Sequence, residues 1–287
     1  MADLTSLQAG FRNVLKVPEL RNRILFMFGL LACYRIGSFI PTPGVDAQAL
    51  QTFFDQQGGT IFGMFNMFVG GNLSRLSIFA LGIMPYITAS FILQLLTVVW
   101  PYLERLSKEG ELGRKKINQY TRYLTVALSS FQGFFTAVAL EQTTGSPPIV
   151  PNPGWGFRLM TMVTLTTGTV LVMWLGEQIT ERGIGNGISL IIFAGIVVGL
   201  PTAAGSLFAE WQMGERTVFT ILFLLAMMLL VTAGIVSVER AQRRIPVQYA
   251  KRVMGRRMYG GQATHLPLRV NSGGVIPVIF AASIVAF

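Results

Sequence analysis

Residues 82–87 (GIMPYI) and residues 274–279 (GVIPVI) decide the fold predicted for this chain. The two stretches lie 192 residues apart and share Gly, a branched aliphatic residue, Pro and Ile at equal spacing. Each stretch belongs to a long uncharged apolar segment. A proline-interrupted helix in each half is typical of inverted-repeat membrane proteins that hold a pathway between the halves. The alternative is coincidence, because Pro and Ile are common in membrane helices.

The composition is that of an integral membrane protein. The 287 residues are 52% hydrophobic and 13% charged, whereas soluble domains carry about 25% charged residues. The single cysteine, Cys33, excludes an internal disulfide. The sequence contains no zinc, phosphate-loop or nucleophile–base pattern, so we predict neither an enzyme nor a bound cofactor or metal. Any energy source is therefore expected to come from a partner.

Seven apolar segments approach the length of about 20 residues that a membrane-spanning helix needs. They are residues 24–40, 78–100, 123–140, 159–175, 183–200, 217–238 and 270–287. Alternate connections between them hold 19 of the 23 Lys and Arg residues, which places the amino-terminal arm, residues 1–23, in the cytoplasm. The second and seventh segments then run in opposite directions, and one half contains five helices.

This pattern predicts three parts of the chain. Residues 24–200 form the first five-helix half, and residues 201–287 begin the second half with a sixth helix, a basic cytoplasmic loop at 239–270 and a seventh helix. A complete inverted repeat would have ten helices, so this chain is expected to end within the seventh.

A short apolar stretch, residues 60–69 (TIFGMFNMFV), lies between the glycine pairs 58–59 and 70–71. Ten residues cannot cross a bilayer, so the stretch is predicted to be re-entrant, interfacial or buried. One interpretation is a short helix on the outer headgroups. The other is a movable stopper for a pore, re-entrant over about residues 60–71, with hinges at the glycine pairs.

Five isoleucines are candidates for a constriction. Ile83 and Ile87 are four residues apart and share a helical face, and Ile188 and Ile192 repeat that spacing in the fifth segment. Ile279 is the counterpart of Ile87 in the seventh. A ring of aliphatic side chains excludes water and ions, although a single Ile in a membrane helix usually faces lipid or a neighbouring helix. The segment middles contain no Asp, Glu, Lys or His, which argues against a proton-driven pump.

The loop at 239–270 carries eight basic residues and one acidic residue. Arginine doublets suit phosphate groups, on anionic lipids or on RNA. The loop therefore indicates either an RNA or acidic protein partner, or topology control together with lipid binding. Residues 104–116 mix both signs and are predicted to be a solvated connection. Asn72 begins a glycosylation acceptor pattern, which is a weak and frequent match, and the only histidine, His265, is predicted to lie in a loop.

Several long motifs resemble the bacterial SecY family, the channel subunit of the general protein translocase. They are residues 34–41 (YRIGSFIP), 65–68 (FNMF), 80–87 (ALGIMPYI), 174–189 (WLGEQITERGIGNGIS) and 264–268 (THLPL). The resemblance covers the whole chain. It implies an all-α polytopic membrane protein of the inverted-repeat channel type, with seven of ten transmembrane helices, in the bacterial plasma (inner) membrane.

The resemblance also implies roles for particular residues. The pore ring would be formed by Ile83, Ile87, Ile188, Ile192 and Ile279. The plug would contain Ile61, Phe62, Met64, Phe65, Asn66, Met67 and Phe68. The lateral gate, through which signal sequences and membrane helices pass, would include Thr88 and Phe287. Docking of the ribosome or the SecA motor would use Arg243, Arg244, Lys251, Arg252, Arg256 and Arg257.

The partners implied are the SecE and SecG subunits, SecA, the ribosome through its rRNA, signal sequences with nascent chains, and anionic lipids. Three functions remain open from the residues alone: a passive protein-conducting channel, a secondary transporter for a small solute, and a membrane receptor that docks ribosomes. A transporter would need a polar site at the midplane, whereas the predicted ring is apolar.

Overall fold

The structure is a computed structural model that describes residues 17–56, 66, 69–143, 148–214, 217–247, 252–254, 257–259 and 264–271. Within these residues the fold is built from helices, with strands only near the carboxyl-terminal end. The helices are α1 Pro18–Gly37, α2 Ala47–Gln56, α3 Met84–Val99, α4 Pro101–Lys108, α5 Glu111–Gln142, α6 Trp155–Arg182, α7 Gly187–Gln212 and α8 Val218–Arg240. The strands are β1 Gln242–Val247, β2 Arg252–Met254, β3 Arg257–Tyr259 and β4 Thr264–Arg269.

Four of the described helices, α5 to α8, are long and apolar enough to cross a membrane, and α3 with α4 makes a fifth span if the bent pair is counted as one. These helices and α1 coincide with six of the seven predicted segments. The 20-residue α1 is not counted because it carries Glu19, Arg21, Arg23 and Arg35. Beyond residue 271, the seventh predicted segment lies outside the described residues.

The second predicted segment, residues 78–100, differs from the helix that forms. The chain from residue 69 to residue 83 runs in turns, and α3 begins only at Met84. Pro85 therefore lies in the first helical turn, where a backbone donor has no helical partner to lose. The prediction of a helix interrupted by Pro85 was wrong: the proline starts the helix.

The predicted solvated connection at 104–116 is helical. The axes of α3 and α4 meet at 100° across Trp100, whose backbone is extended, and Pro101 starts α4. Lys108 donates a hydrogen bond to Glu104 one turn away (2.6 Å), which lowers the pKa of this exposed carboxyl group. The helix α5 then begins at Glu111, well before the apolar segment predicted from residue 123.

Helices α5 and α6 form an antiparallel hairpin with an ion pair near each end. Arg122 of α5 binds Glu177 of α6 at 2.8 Å, and Arg158 of α6 binds Glu141 of α5 at 2.6 Å. The Glu141 carboxylate also accepts a hydrogen bond from the backbone N–H of Gly154 (2.9 Å). Small residues allow close packing between the ends, because Gly133 lies directly against the backbone of Met162.

Two apolar clusters form most of the core of the described residues. One joins α2, the segment after residue 69, residues 149–150 and the first half of α6; it includes Leu50, Leu76, Ile149 and Leu165. The other joins α1, the start of α3, the second half of α6 and the start of α7. The second cluster contains the predicted constriction residues that the structure describes.

The chain divides into two compact units, with the boundary between Ala203 and Ala204 inside α7. In the second unit, β1 pairs with β4 and β2 pairs with β3, both antiparallel. Where it is described, the region predicted to be a loop at 239–270 therefore contains two short sheets, and His265 lies on β4 opposite Pro246.

Candidate pore constriction and neighbouring sites

Four of the five predicted constriction residues lie in one apolar cluster. Ile83 is buried in it at 5% exposure, and Ile87, Ile188 and Ile192 are half-buried and pack against it. The centre of the cluster on α7 is Ile191, with 2% of its surface exposed. Ile87, Ile188 and Ile192 keep part of their surface free, as residues that line a pathway must. Ile279 lies outside the described residues.

The start of α3 is fixed by its own backbone. Ile83 is the residue before the helix, and its carbonyl oxygen accepts hydrogen bonds from the N–H groups of Tyr86 and Ile87, both at 3.1 Å. Gly82 takes a positive φ of 55° and lies against Val69. These contacts turn the chain from the segment that follows the predicted plug into α3.

The start of α7 is fixed by the tight turn after α6. Asn186 accepts a hydrogen bond from the backbone N–H of Ile188 (3.0 Å), as an N-cap residue does. Thr180 of α6 accepts one from the N–H of Gly187 (2.9 Å). A Cβ atom at Gly187 would overlap the carbonyl oxygen of Gly176. The glycine-rich motif therefore holds α7 and its isoleucines against α6.

Of the predicted plug residues, only Asn66 is described; Ile61, Phe62, Met64, Phe65, Met67 and Phe68 lie outside the described residues. The Asn66 side chain accepts a hydrogen bond from the N–H of Ser74 (3.0 Å), and its carbonyl oxygen accepts one from Gly71 (2.8 Å). Gly70 and Gly71 both have positive φ, of 74° and 77°. The sharp turn expected of this glycine pair is present.

The segment after the plug also contacts α7. A Cβ atom at Gly70 would lie 2.9 Å from the Cα atom of Gly195, so the two backbones approach as closely as only glycine allows. Gly195 lies one helical turn after Ile191. The base of the predicted plug therefore contacts α7, the helix that carries Ile188 and Ile192 of the predicted constriction.

Of the two predicted gate residues, Thr88 is half-buried on α3, one position after Ile87, and its hydroxyl donates to the carbonyl oxygen of Met84 (3.1 Å). Phe287 lies outside the described residues. Thr88 therefore directly follows a predicted constriction residue on α3, and its role in a lateral gate stays a prediction.

Four of the six predicted docking residues lie on the strands of the second unit. Arg243 and Arg244 are exposed on β1, opposite Leu268 and Pro267 of β4. Arg252 and Arg257 begin β2 and β3, whereas Lys251 and Arg256 lie outside the described residues. Because neighbouring side chains on a strand point to opposite faces, the Arg243–Arg244 doublet cannot act as one double charge on a flat surface.

The two faces of this β1–β4 hairpin differ in chemistry. Register and alternation put Arg244 on one face with His265 and Arg269, and put Arg243 on the other face with Ile245 and Leu268. One face is therefore basic, and the other is largely apolar.

Several polar contacts between distant residues were not predicted from the sequence. The side chain of Asn72, 2% exposed, donates a hydrogen bond to the hydroxyl of Tyr34 (3.1 Å). A side chain this buried is not accessible to glycosylation, so the weak acceptor pattern at Asn72 marks no modification site. The ion pairs of Arg122 with Glu177 and of Arg158 with Glu141 were not predicted either. A lone Asn in an apolar stretch is a signal for a buried hydrogen bond, but the sequence does not reveal its partner.

A polar cavity of about 570 Å³ lies near the amino-terminal end of α5. It is lined by Glu111, Arg114, Lys115, Asn118, Gln119, Arg122, Tyr123 and Glu181. Among the described residues, no group of three or more His, Cys, Asp and Glu side chains is arranged to hold a metal ion.

Comparison with known proteins agrees with this architecture. The SecY family model matches residues 77–287. The chain is 56% identical over 269 residues to the protein translocase subunit SecY of Buchnera aphidicola subsp. Acyrthosiphon kondoi, covering 94% of this chain and 76% of that protein. It is 57% identical over 269 residues to the subunit of Escherichia coli K12, covering 94% of this chain and 61% of that protein.

The fold is also similar to that of Sec61 in the canine ribosome-channel complex from the endoplasmic reticulum. The TM-score is 0.61 with 17% sequence identity, and the match covers 92% of this chain and 56% of that one. The match of the SecY family to nearly three quarters of the chain, together with these relatives, shows that the chain belongs to the SecY family.

Proposed function

We propose that the chain forms part of a protein-conducting channel that moves secretory polypeptides across the bacterial plasma membrane and releases membrane helices into it. The observation that carries the proposal is one apolar cluster that contains Ile83 and against which Ile87, Ile188 and Ile192 pack. Helices α3 and α7 are far apart in sequence, yet isoleucines at the start of each belong to this one cluster or pack against it.

An apolar constriction of this kind can seal a pore without closing it permanently. Aliphatic side chains offer no hydrogen bonds, so a narrow ring of them is dewetted and blocks ions. A polypeptide chain can still pass, because each side chain moves aside without breaking a bond. In this proposal Ile279 completes the ring, and the plug at about residues 60–71 covers it from outside.

The lateral gate would open beside α3. Thr88 follows Ile87 on this helix, so a signal sequence that leaves the constriction would first pass the Thr88 face; Phe287 is proposed for the opposite side. An apolar segment that reaches this opening lowers its free energy by moving into lipid, whereas a polar segment stays in the pore.

Energy and direction would come from partners at the cytoplasmic side, where we place the amino terminus. The basic face of the β1–β4 hairpin, together with Lys251, Arg252, Arg256 and Arg257, would dock rRNA of the ribosome or the SecA motor. SecE and SecG would complete the complex. The Arg and Lys side chains of the polar cavity suit anionic lipid headgroups. No enzymatic role is proposed.

Site-specific crosslinking tests the proposal. The chain is joined to the part of its E. coli relative that it does not span, and a photoreactive residue replaces Ile192 or Ile87. A stalled secretory nascent chain should crosslink at both positions. Phe193 is the matched control, since it lies next to Ile192 on α7 but is 61% exposed on another face of the helix.

The pattern of adducts separates the candidate functions. Adducts at Ile87 and Ile192 but not at Phe193 support a polypeptide path through the cluster. A chain that docks ribosomes but gives no adduct at either isoleucine would be a receptor. Transport of a small solute without any adduct would instead favour a secondary transporter.

A further inference from the structure

Two arginines on the predicted outer side of the membrane converge on one aromatic ring. The guanidinium carbon of Arg35, near the end of α1, lies 4.9 Å from the centre of the Phe39 ring, and that of Arg75 lies 5.3 Å from it. The two guanidinium groups are therefore at most about 10 Å apart, which is about the Debye length at 0.1 M salt. Salt does not fully screen two like charges at this distance, so they repel each other.

The backbone that carries Arg75 is fixed beside the end of α1. The N–H of Ile78 donates to the carbonyl oxygen of Ile40 (3.0 Å), which joins the segment after α1 to the segment that contains Arg75. Leu76, directly after Arg75, is 1% exposed and has a positive φ of 38°. A leucine keeps this conformation only where its surroundings fix it. The fold itself therefore brings the second cation to the Phe39 ring.

Within the part of the chain that the structure describes, neither arginine has an acidic partner. The ion pairs between described residues involve other basic side chains. Arg158, a third basic residue on the same predicted side of the membrane, is neutralised by Glu141 at 2.6 Å. Basic residues are infrequent beside the outer ends of membrane helices. A pair of such residues without a counter-charge therefore indicates that an anion binds there.

The two cations adjoin an apolar face of α1. Ile36 and Phe28 are 68% and 60% exposed, and their spacing puts them on one face of the helix with the small residues Gly29 and Ala32 between them. Nothing lies within 4 Å of a Cβ atom added at Gly29. This face runs from the arginines towards the middle of the membrane, and its small residues leave room for a hydrocarbon chain.

We propose that Arg35 and Arg75 bind the phosphate of an anionic phospholipid in the outer leaflet, with an acyl chain of that lipid against residues 28–36 of α1. Guanidinium groups donate paired hydrogen bonds to phosphate oxygens, and the contact with Phe39 holds both groups in place. A free phosphate would use only the cations, whereas a phospholipid also covers the apolar face. A zwitterionic headgroup carries its own ammonium group, so a lipid with a net negative charge fits the two arginines better.

The inference goes beyond the proposed function, because it uses the proposed orientation of the chain and not its channel. The site is also separate from the polar cavity of α5, which lies on the cytoplasmic side in that orientation.

Photocrosslinking tests the site. The chain is joined to the rest of its E. coli relative, assembled with the proposed partner subunits and placed in phosphatidylcholine nanodiscs. These contain a trace of phosphatidylglycerol with a photoreactive acyl chain, or of phosphatidylcholine with the same chain, and adducts on α1 are measured by peptide mass spectrometry. We expect the phosphatidylglycerol probe to label α1 at least about fivefold more, since each arginine at a membrane surface favours an anionic lipid by about that factor.

Arg35→Gln and Arg75→Gln should each lower this preference about fivefold. Arg75 is exposed, so Arg75→Gln stays informative if Arg35→Gln assembles poorly. Arg105→Gln is the matched control, because it removes the same charge from an exposed position on α4 and should leave the labelling of α1 unchanged. Gly29→Leu fills the proposed acyl position, where an added Cβ meets no other atom, and should reduce the adducts on α1.

Four outcomes would overturn the proposal. Equal labelling by the two probes, or a preference that survives both arginine substitutions, would leave the arginines as contacts of the ring only. An equal loss in Arg105→Gln would show a response to net charge alone. Displacement of the probe by glycerol phosphate as effectively as by phosphatidylglycerol would assign the site to a free phosphate. Adducts on α1 that form only when the partner subunits are omitted would show that a partner helix covers this face.

Failure of this inference is distinguishable from failure of the channel function. Crosslinks of a nascent chain at Ile87 and Ile192 do not depend on a lipid at Arg35 and Arg75. If those crosslinks form while the lipid probes show no preference, only the lipid site is wrong.

Discussion

Helices α6 and α8 have similar lengths and are both apolar, but they are used in opposite ways. In the most apolar 18-residue stretch of α6, 44% of the residues are buried within the chain, whereas none is buried in that of α8. The buried face of α6 is rich in small and hydroxyl residues, including Thr161, Gly168, Thr169 and Gly176. Small residues let helices approach closely in a membrane, where apolar surface alone gives no reason to associate.

The exposed surface of α8 consists of large aliphatic and aromatic side chains, such as Phe219 and Leu229 at 75% and 72% exposure. Lipid tails surround such side chains as favourably as an apolar protein surface does. The comparison teaches that hydrophobicity predicts that a helix enters the membrane, whereas the positions of Gly and Thr indicate which face packs against protein.

The strongest test of this comparison places the same substitution in both helices. A Cβ atom at Gly168 of α6 would overlap the carbonyl oxygen of Ile78, a backbone atom held by the bond from Ile78 to Ile40. We expect Gly168→Val to cost about 3 kcal/mol or more in the free energy of unfolding and to abolish accumulation of the folded protein. The measurement is the yield of protease-resistant protein in membranes.

The control is Gly234→Val in α8, where nothing lies within 4 Å of the added Cβ. Valine at this position changes only the helix propensity and should leave the yield near the wild-type level. Equal losses from both substitutions would mean that α8 is packed as tightly as α6 when the complex is assembled.

A smaller effect should follow from truncating a leucine in each helix. Leu165 of α6 is fully buried, so Leu165→Ala leaves a cavity and should lower the free energy of unfolding by about 2–5 kcal/mol. Leu229→Ala in α8 leaves no cavity and should change it by less than about 0.5 kcal/mol. Denaturant unfolding in mixed micelles measures both. A large loss for Leu229→Ala would place α8 against a partner subunit that co-purifies.

The same physical distinction explains how much of the fold could be predicted from sequence. Bilayer thickness fixes the length of a span, so the apolar segments located α1, α3, α5, α6, α7 and α8. The ends were less well predicted. Helix α5 begins at Glu111 because charged residues continue a helix beyond the membrane, as in the pair between Lys115 and Glu111. Residues 78–83 are as apolar as a membrane-spanning helix, yet they form turns. Ile78 is held there by its hydrogen bond to Ile40 and by its contact with Gly168 of α6.

The candidate site was predicted in part for the same reason. Spacing alone paired Ile83 with Ile87 and Ile188 with Ile192, and all four belong to one apolar cluster or pack against it. That they line a pore stays a prediction. The spacing did not show that Ile83 would be buried while the other three isoleucines stay partly exposed, because burial depends on packing against α1 and α6. The contact between Tyr34 and Asn72 joins residues 38 positions apart, and no local pattern indicates such a bond.

The smallest effect on stability is expected from substitutions in the β1–β4 hairpin, where exposed residues of the two faces can be compared with each other. Both Arg243→Glu and Arg244→Glu reverse one exposed charge, so each should change the free energy of unfolding by less than about 0.5 kcal/mol. Their effects on ribosome binding should differ. Arg244 shares its face with His265 and Arg269, whereas Arg243 lies among Ile245 and Leu268.

If the basic face docks rRNA as proposed, Arg244→Glu should weaken ribosome binding and lower the slope of log affinity against log salt by about one. Arg243→Glu, which carries the same change in net charge, should leave that slope unchanged. Co-sedimentation with ribosomes over a series of salt concentrations measures both. Equal slopes for the two variants would show that the partner senses only the overall charge of the hairpin. The strand alternation that separates Arg243 from Arg244 would then play no part in docking.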